Sequence, residues 1–62
     1  MTPGRWRHRA TLDTDLQVLA IGHEDAEYIH VAGILFHRKY EYVYQQSIFA
    51  IKKSDLKNWR QV

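Results

Sequence analysis

Three arginines, Arg5, Arg7 and Arg9, stand at every second position near the amino terminus, with Trp6 and His8 between them. Guanidinium groups can grip phosphate or carboxylate oxygens through paired hydrogen bonds, so this spacing could serve an anionic partner. Strand side chains also alternate between two faces, and the same spacing describes the solvent face of a half-buried first strand. Lys52, Lys53 and Lys57 add cations near the other terminus. Single-stranded nucleic acid is held by a basic groove and stacked rings, each stacked base contributing ~1–3 kcal/mol. Arg5, Arg7, Arg9, Lys52, Lys53 and Lys57 are the candidate phosphate contacts, and Tyr40, Tyr42 and Tyr44 a candidate ring platform.

The tyrosines support a second reading. Tyrosine suits protein interfaces because its ring buries area while its hydroxyl finds a partner. Tyr40, Tyr42 and Tyr44 alternate in "YEYVYQQ" (40–46), which in a strand places them on one face. Such a strip could pair two protomers or dock on a foreign protein. Against both readings, Lys52 and Lys53 could simply protect a sheet edge, and Trp6 and Trp59 read as core anchors.

Other chemistry finds little support. The only serines are Ser47, which precedes an apolar strand, and Ser54, and there is no cysteine, so no nucleophile stands in an evident activating setting. Ser54 reads as a helix cap. No glycine-rich phosphate loop is present. Catalysis would require several subunits to pool residues at a symmetric pore, and nothing in the sequence demands that. Zinc sites need three or four converging ligands, commonly with short pair spacings. His23, His30 and His37 are instead seven apart, and on a strand His30 and His37 fall on opposite faces unless a bulge at Gly33 reverses the parity. No metal, cofactor or small-molecule substrate is expected.

The elements that must carry these residues are short and β-rich. "LQVLAI" (16–21) and "YIHVAGILF" (28–36) read as strands, the latter apolar on both faces with Gly33 marking a bulge or bend. A helix stacking His23, His30 and His37 competes, but Gly33 and the β-branched, aromatic run from Tyr28 to Phe36 disfavour it. "YEYVYQQ" and "SIFAIK" (47–52) read as further strands. "TLDTD" (11–15) and "HEDAE" (23–27) are turns. "SDLKNW" (54–59) is a short helical or 3-10 turn, and "RQV" a last strand. The expected fold is mainly β: a small five-stranded antiparallel barrel, residues 1–62 forming a single domain.

Nine Lys and Arg against seven Asp and Glu leave a formal charge of +2. That excess is small, so its distribution decides more than its size. Cations gather at the two ends and acids mainly between them. If the ends meet, the fold has one basic side. Sixty-two residues bury only ~60% of their unfolded surface, so a partner subunit would help stability. Without cysteine, signal-peptide pattern or a ~20-residue apolar run, the chain reads as soluble and cytoplasmic.

"PGRWRH" (3–8) followed by "LQVLAIGHED" (16–25) resembles a family of short bacterial and phage proteins of unknown function. Their pattern is Pro-Gly-x-Tyr-Arg-His, a gap, then Tyr-x-Val-Leu-x-x-Ala-Arg-His. Trp6 stands at their first aromatic and Val18-Leu19 at their Val-Leu pair. "IKKSDLKNW" (51–59) is similar to their closing strand and turn, with Lys52-Lys53 in place of their Arg-Pro. The resemblance implies an SH3-like barrel and brings no activity. The sequence points to a non-enzymatic module that binds nucleic acid or a nucleoprotein through its basic face. The alternative is a protein-interaction module or inhibitor of phage or mobile-element type, working through the tyrosines, with a homo-oligomer as one form.

Overall fold

The computed structural model describes residues 1–62. Five strands form one antiparallel sheet: β1 (Gly4–His8), β2 (Thr14–Glu24), β3 (Tyr28–His37), β4 (Val43–Lys52) and β5 (Trp59–Gln61). A 3-10 helix, Lys53–Asn58, joins β4 to β5. The order across the sheet is β4-β3-β2-β1-β5, so the first and last strands are neighbours, which brings Arg60 beside β1 but leaves Lys52 and Lys53 apart from it. Arg7 lies directly opposite Arg60. The sheet is open, with β4 and β5 as its edges, and the chain is mainly β as expected. No helix is long and apolar enough to cross a membrane.

One face carries the core. Leu16, Val18, Ile29, Val31 and Ile51 are buried, with Trp6, Leu35, Phe49, Leu56 and Trp59 packed against them. Cross-strand register explains the grouping: Trp6 opposes Leu16, Leu16 opposes Leu35, Ile29 opposes Ile51 and Val31 opposes Phe49. Burying each such aliphatic side chain contributes ~1.5–3 kcal/mol, and a core this small depends on every one. The register also decides a question that the apolar run 28–36 leaves open. Ile29, Val31 and Leu35 point inward; His30, Ala32 and Ile34 lie on the outer face.

Gly33 has a different role from the expected bulge. Strand β3 is regular there, and the extra residue is Leu19 in the facing strand, between Val18 and Ala20. A Cβ on Gly33 would meet the Gln17 carbonyl oxygen at 2.8 Å, so the glycine permits a close approach of two backbones. A second irregularity lies between Ile21 and Glu24. Two such sites in one strand bend β2 and increase its twist. Only Leu16–Val18 of β2 pairs with β1, whereas the pairing with β3 extends along the strand.

Three local expectations are corrected. "YEYVYQQ" and "SIFAIK" are not two strands, since Val43–Lys52 is a single one. Tyr40 lies in the β3–β4 turn and Tyr42 just before β4, so the tyrosines do not alternate along one strand. The turn is closed by His37 N donating to the Tyr42 carbonyl at 2.8 Å and Glu41 N to the His37 carbonyl at 2.8 Å, with Glu41 in the left-handed region. Ser54 is not a cap: the residue preceding the 3-10 helix is Lys52, and it makes no side-chain capping bond.

Candidate arginine and aromatic surface

Strand alternation sends Trp6 and His8 of β1 toward the core and Arg5 and Arg7 to the outer face. On β2, Leu16 faces inward, so its neighbour Asp15 faces the arginines. Asp15 is 1% exposed. Its Oδ1 accepts from Arg7 Nε at 2.9 Å and Arg38 Nε at 3.1 Å. Its Oδ2 accepts from Arg5 Nε at 2.7 Å and Arg7 Nη2 at 3.0 Å. These four bonds fill the acceptor capacity of the carboxylate. Burial alone would push the Asp15 carboxyl up, but the hydrogen bonds from Arg7, Arg5 and Arg38 overcome it and hold the group down at about 2. The Arg7 guanidinium is correspondingly pushed up by its bond to Asp15.

The arginines also order the chain around them. Arg38 donates from Nη1 to the Leu12 carbonyl at 3.0 Å and from Nη2 to the Thr14 carbonyl at 3.1 Å. Arg5 donates from Nη2 to the Arg38 carbonyl at 3.2 Å and reaches Glu41 Oε1 at 3.4 Å. Its guanidinium lies 4.7 Å from the centre of the Phe36 ring, a cation–π contact. Three guanidinia around one carboxylate leave an excess of positive charge, partly offset by Glu41 and extended by Arg60 opposite Arg7.

A group of rings begins at the next residue. His37 stacks on Tyr40 at 4.9 Å and on Tyr42 at 4.8 Å between ring centres. Tyr44 meets Tyr42 edge-on at 5.1 Å, and their hydroxyls lie 3.2 Å apart. That hydrogen bond, with some burial and the nearby Asp13 carboxylate, pushes the Tyr44 hydroxyl up to about 12. His37 Nδ1 accepts from the backbone N–H groups of Lys39 and Tyr40, which fixes the ring over the turn. Tyr40 is 68% exposed and Tyr42 52%. Residues 37–42 therefore carry both Arg38 of the ion cluster and the exposed rings.

The remaining cations are dispersed. Arg9 is exposed and its N–H bonds the Asn58 carbonyl, next to the exposed Lys57, so these two share the β1–β5 end with Arg60. Lys52 and Lys53 lie elsewhere: Lys53 Nζ is 3.0 Å from Glu24 Oε1, and its N–H bonds the Glu27 carbonyl. The six cations expected to share one surface divide accordingly into Arg5 and Arg7, Arg9 and Lys57, and Lys52 and Lys53.

Among the histidines, His23 and His30 approach to 5.8 Å between ring centres and His30 Nε2 is 3.6 Å from Asp25, whereas His37 belongs to the tyrosines. No three metal-ligating side chains converge. Sequence reasoning missed Asp15, Arg38 and His37 as members of the surface. Arg38 offered one signal, a cation immediately between an apolar strand and the first tyrosine. No family model, curated protein or solved structure matches this chain.

Proposed function

We propose that this chain is a non-enzymatic binding module for single-stranded nucleic acid. The observation that carries the reading is the meeting of the arginine cluster and the exposed tyrosines on one turn, residues 37–42. Phosphates would lie along Arg7, Arg60 and the exposed Arg9 and Lys57, and unpaired bases would stack on Tyr40 and Tyr42. The strand order, with β1 between β2 and β5 and a 3-10 helix before β5, accords with an SH3-like half-open barrel. Binding to nucleic acid or a nucleoprotein implies work in the cytoplasm, and a chain without cysteine suits that compartment.

The test is fluorescence anisotropy of labelled single-stranded and duplex oligonucleotides at two salt concentrations. The expected result is micromolar binding that prefers the single strand and weakens with salt, with a slope near −0.7 for each neutralised phosphate. Arg9→Gln, Lys57→Gln and Arg60→Gln together should lower that slope without unfolding the chain, because these side chains hold nothing in the fold. Changing Arg5 and Arg7 would be a poor test, since it would strand Asp15. Tyr40→Ala and Tyr42→Ala should weaken binding at every salt concentration. No binding at low salt would reject the reading.

The exposure of Tyr40, Tyr42 and Tyr44 on one hairpin favours a second reading, a protein-interaction module or inhibitor. Its mark would be a protein partner retained at high salt and lost in Tyr42→Ala, with the melting temperature little changed.

A further inference from the structure

We propose that β4 is the interface through which two copies of this chain associate, as an antiparallel β4–β4 pair joining their two sheets. This goes beyond nucleic-acid binding and does not depend on it. The sheet has two edges, and only one of them is protected. β5 is three residues long, carries Arg60 and follows directly on the 3-10 helix. β4 is ten residues long, and its only partner is β3. Its other side presents a row of unpaired backbone groups, which is a template for another strand.

The sequence of β4 suits that use. From Val43 to Ile51 it contains no charge, no proline and no glycine. Its pairing with β3 is regular from Gln45 to Lys52, so no bulge turns the outer half of the strand away. At its middle, Ile48 is 65% exposed, and with Leu19 (51% exposed) and Ala32 it lines a shallow groove of about 420 Å³. Exposed apolar side chains along an uncharged edge are what soluble proteins ordinarily avoid.

The occupant that fits this edge is a second copy. An uncharged strand offers nothing to a charged partner strand, but it can face itself without repulsion. A two-fold axis at Ile48 keeps like faces together: Ile48 meets its own copy, Gln46 meets Ala50, and Ser47 meets Phe49. Lys52, the only charge in the strand, then falls opposite Tyr44 rather than another lysine. The contact is isologous, so it closes at two subunits and does not propagate. Only five residues form the buried core cluster, and a chain this short gains from covering apolar surface. Residues 37–42 precede β4, so each copy keeps Arg38, Tyr40 and Tyr42 outside the paired stretch, and of the tyrosines only Tyr44 falls within it.

Sedimentation equilibrium from micromolar to millimolar protein should show a monomer–dimer equilibrium. Ile48→Lys places like charges across the axis and should raise the dissociation constant at least ~10-fold, with the circular dichroism spectrum unchanged because the side chain is solvent-exposed in one copy. Ile48→Cys provides a second readout in a chain without cysteine. Paired strands bring the two Cα atoms to ~4.5–5.5 Å, within disulfide range, so air oxidation should yield a covalent dimer. Leu12→Cys, in the exposed β1–β2 turn, should not cross-link at that rate. A wild-type chain that stays monomeric at millimolar concentration, alone or while pairing with a foreign strand, overturns the proposal. So does a dimer that cross-links equally well through Leu12→Cys.

Discussion

Arg38 Nε donates to Asp15 Oδ1 at 3.1 Å across 23 residues of sequence. The contact fastens the β3–β4 turn to the start of β2, and the same guanidinium binds the carbonyls of Thr11, Leu12 and Thr14. Asp15 is thus the point on which two turns and β1 converge. Its side chain has no exposed surface, whereas the three guanidinia each retain some contact with water. Such an arrangement costs most when one partner is removed, because the remaining charges lose their compensation.

Replacing that carboxylate is the first prediction. Asp15→Asn keeps the shape and removes the charge, leaving Arg5, Arg7 and Arg38 crowded with only the exposed Glu41 carboxylate near Arg5 to offset them. Urea denaturation should show a loss of ~2–3 kcal/mol. A midpoint equal to the wild type would mean that the carbonyl bonds of Arg38 and Arg5 suffice to hold the turns.

Acid should act through the same group. The Asp15 carboxyl lies at about 2 in the folded chain, below its ordinary 3.8, so the unfolded chain takes up the proton first as pH falls. The stabilisation is complete above ~pH 5 and is lost progressively toward ~pH 2, amounting to about 2 kcal/mol. Asp25 is also held low, by the backbone N–H groups of Tyr28 and Glu27, and Asp55 by the Asn58 amide and His8, so both add to the same slope. Thermal melts across that range should fall steeply for the wild type and less steeply for Asp15→Asn. Parallel curves would remove Asp15 from the account.

Tyr42→Phe tests the ring cluster. The Tyr42 hydroxyl is the main reason that Tyr44 ionises late, at about 12, so its removal should bring Tyr44 down. Ultraviolet titration of tyrosinate would register the change as an earlier final step. If the final step does not move, the two hydroxyls are not bonded in solution.

Glu41→Gly should stabilise the β3–β4 turn. Glu41 has φ 59, where a side chain costs ~1–2 kcal/mol that glycine avoids. The lost contact with Arg5, at 3.4 Å on an exposed side chain, is worth ~0–1 kcal/mol. Glycine's greater freedom in the unfolded chain takes back a further ~0.5–1 kcal/mol. The balance is a small net gain, ~0.3 kcal/mol, which should appear as a slightly higher melting temperature. A lower one would show that the ion pair and glycine's unfolded-state freedom together outweigh the backbone strain.

The placement of strands was largely legible, because short apolar runs between polar turns report backbone conformation directly. β2 and β3 lie where the runs "LQVLAI" and "YIHVAGILF" put them, but β2 takes in Thr14, Asp15, His23 and Glu24, which read as turn residues, and the 3-10 helix is displaced by one residue from "SDLKNW", leaving Trp59 in β5. The errors arose where two tendencies compete locally. Alternating tyrosines resemble a strand, yet His37 closes a turn over them. A glycine in an apolar run resembles a bulge, yet the facing strand holds the extra residue.

The candidate surface was legible only in part. Alternation assigned Arg5, Arg7 and Arg9 to one face of a strand, which holds for Arg5 and Arg7 but not for Arg9, since β1 ends at His8. What lay beneath that face could not be read, because Asp15 sits in a turn-like run with other acids and only the pairing of β1 with β2 and the fold-back of the β3–β4 turn bring Arg5, Arg7 and Arg38 onto it. Arg38 is likewise an ordinary charged residue until the hairpin folds back.

By itself, then, the sequence determined the strand periods, the basic ends and the absence of any disulfide, since these depend on near neighbours and composition. Only the tertiary structure decided that three arginines share one buried carboxylate, that the tyrosines gather around a histidine, and that β4 is left as an open edge. Each of these rests on which strand lies beside which. That choice is made by long-range register and core packing, to which no single stretch of this chain is privy.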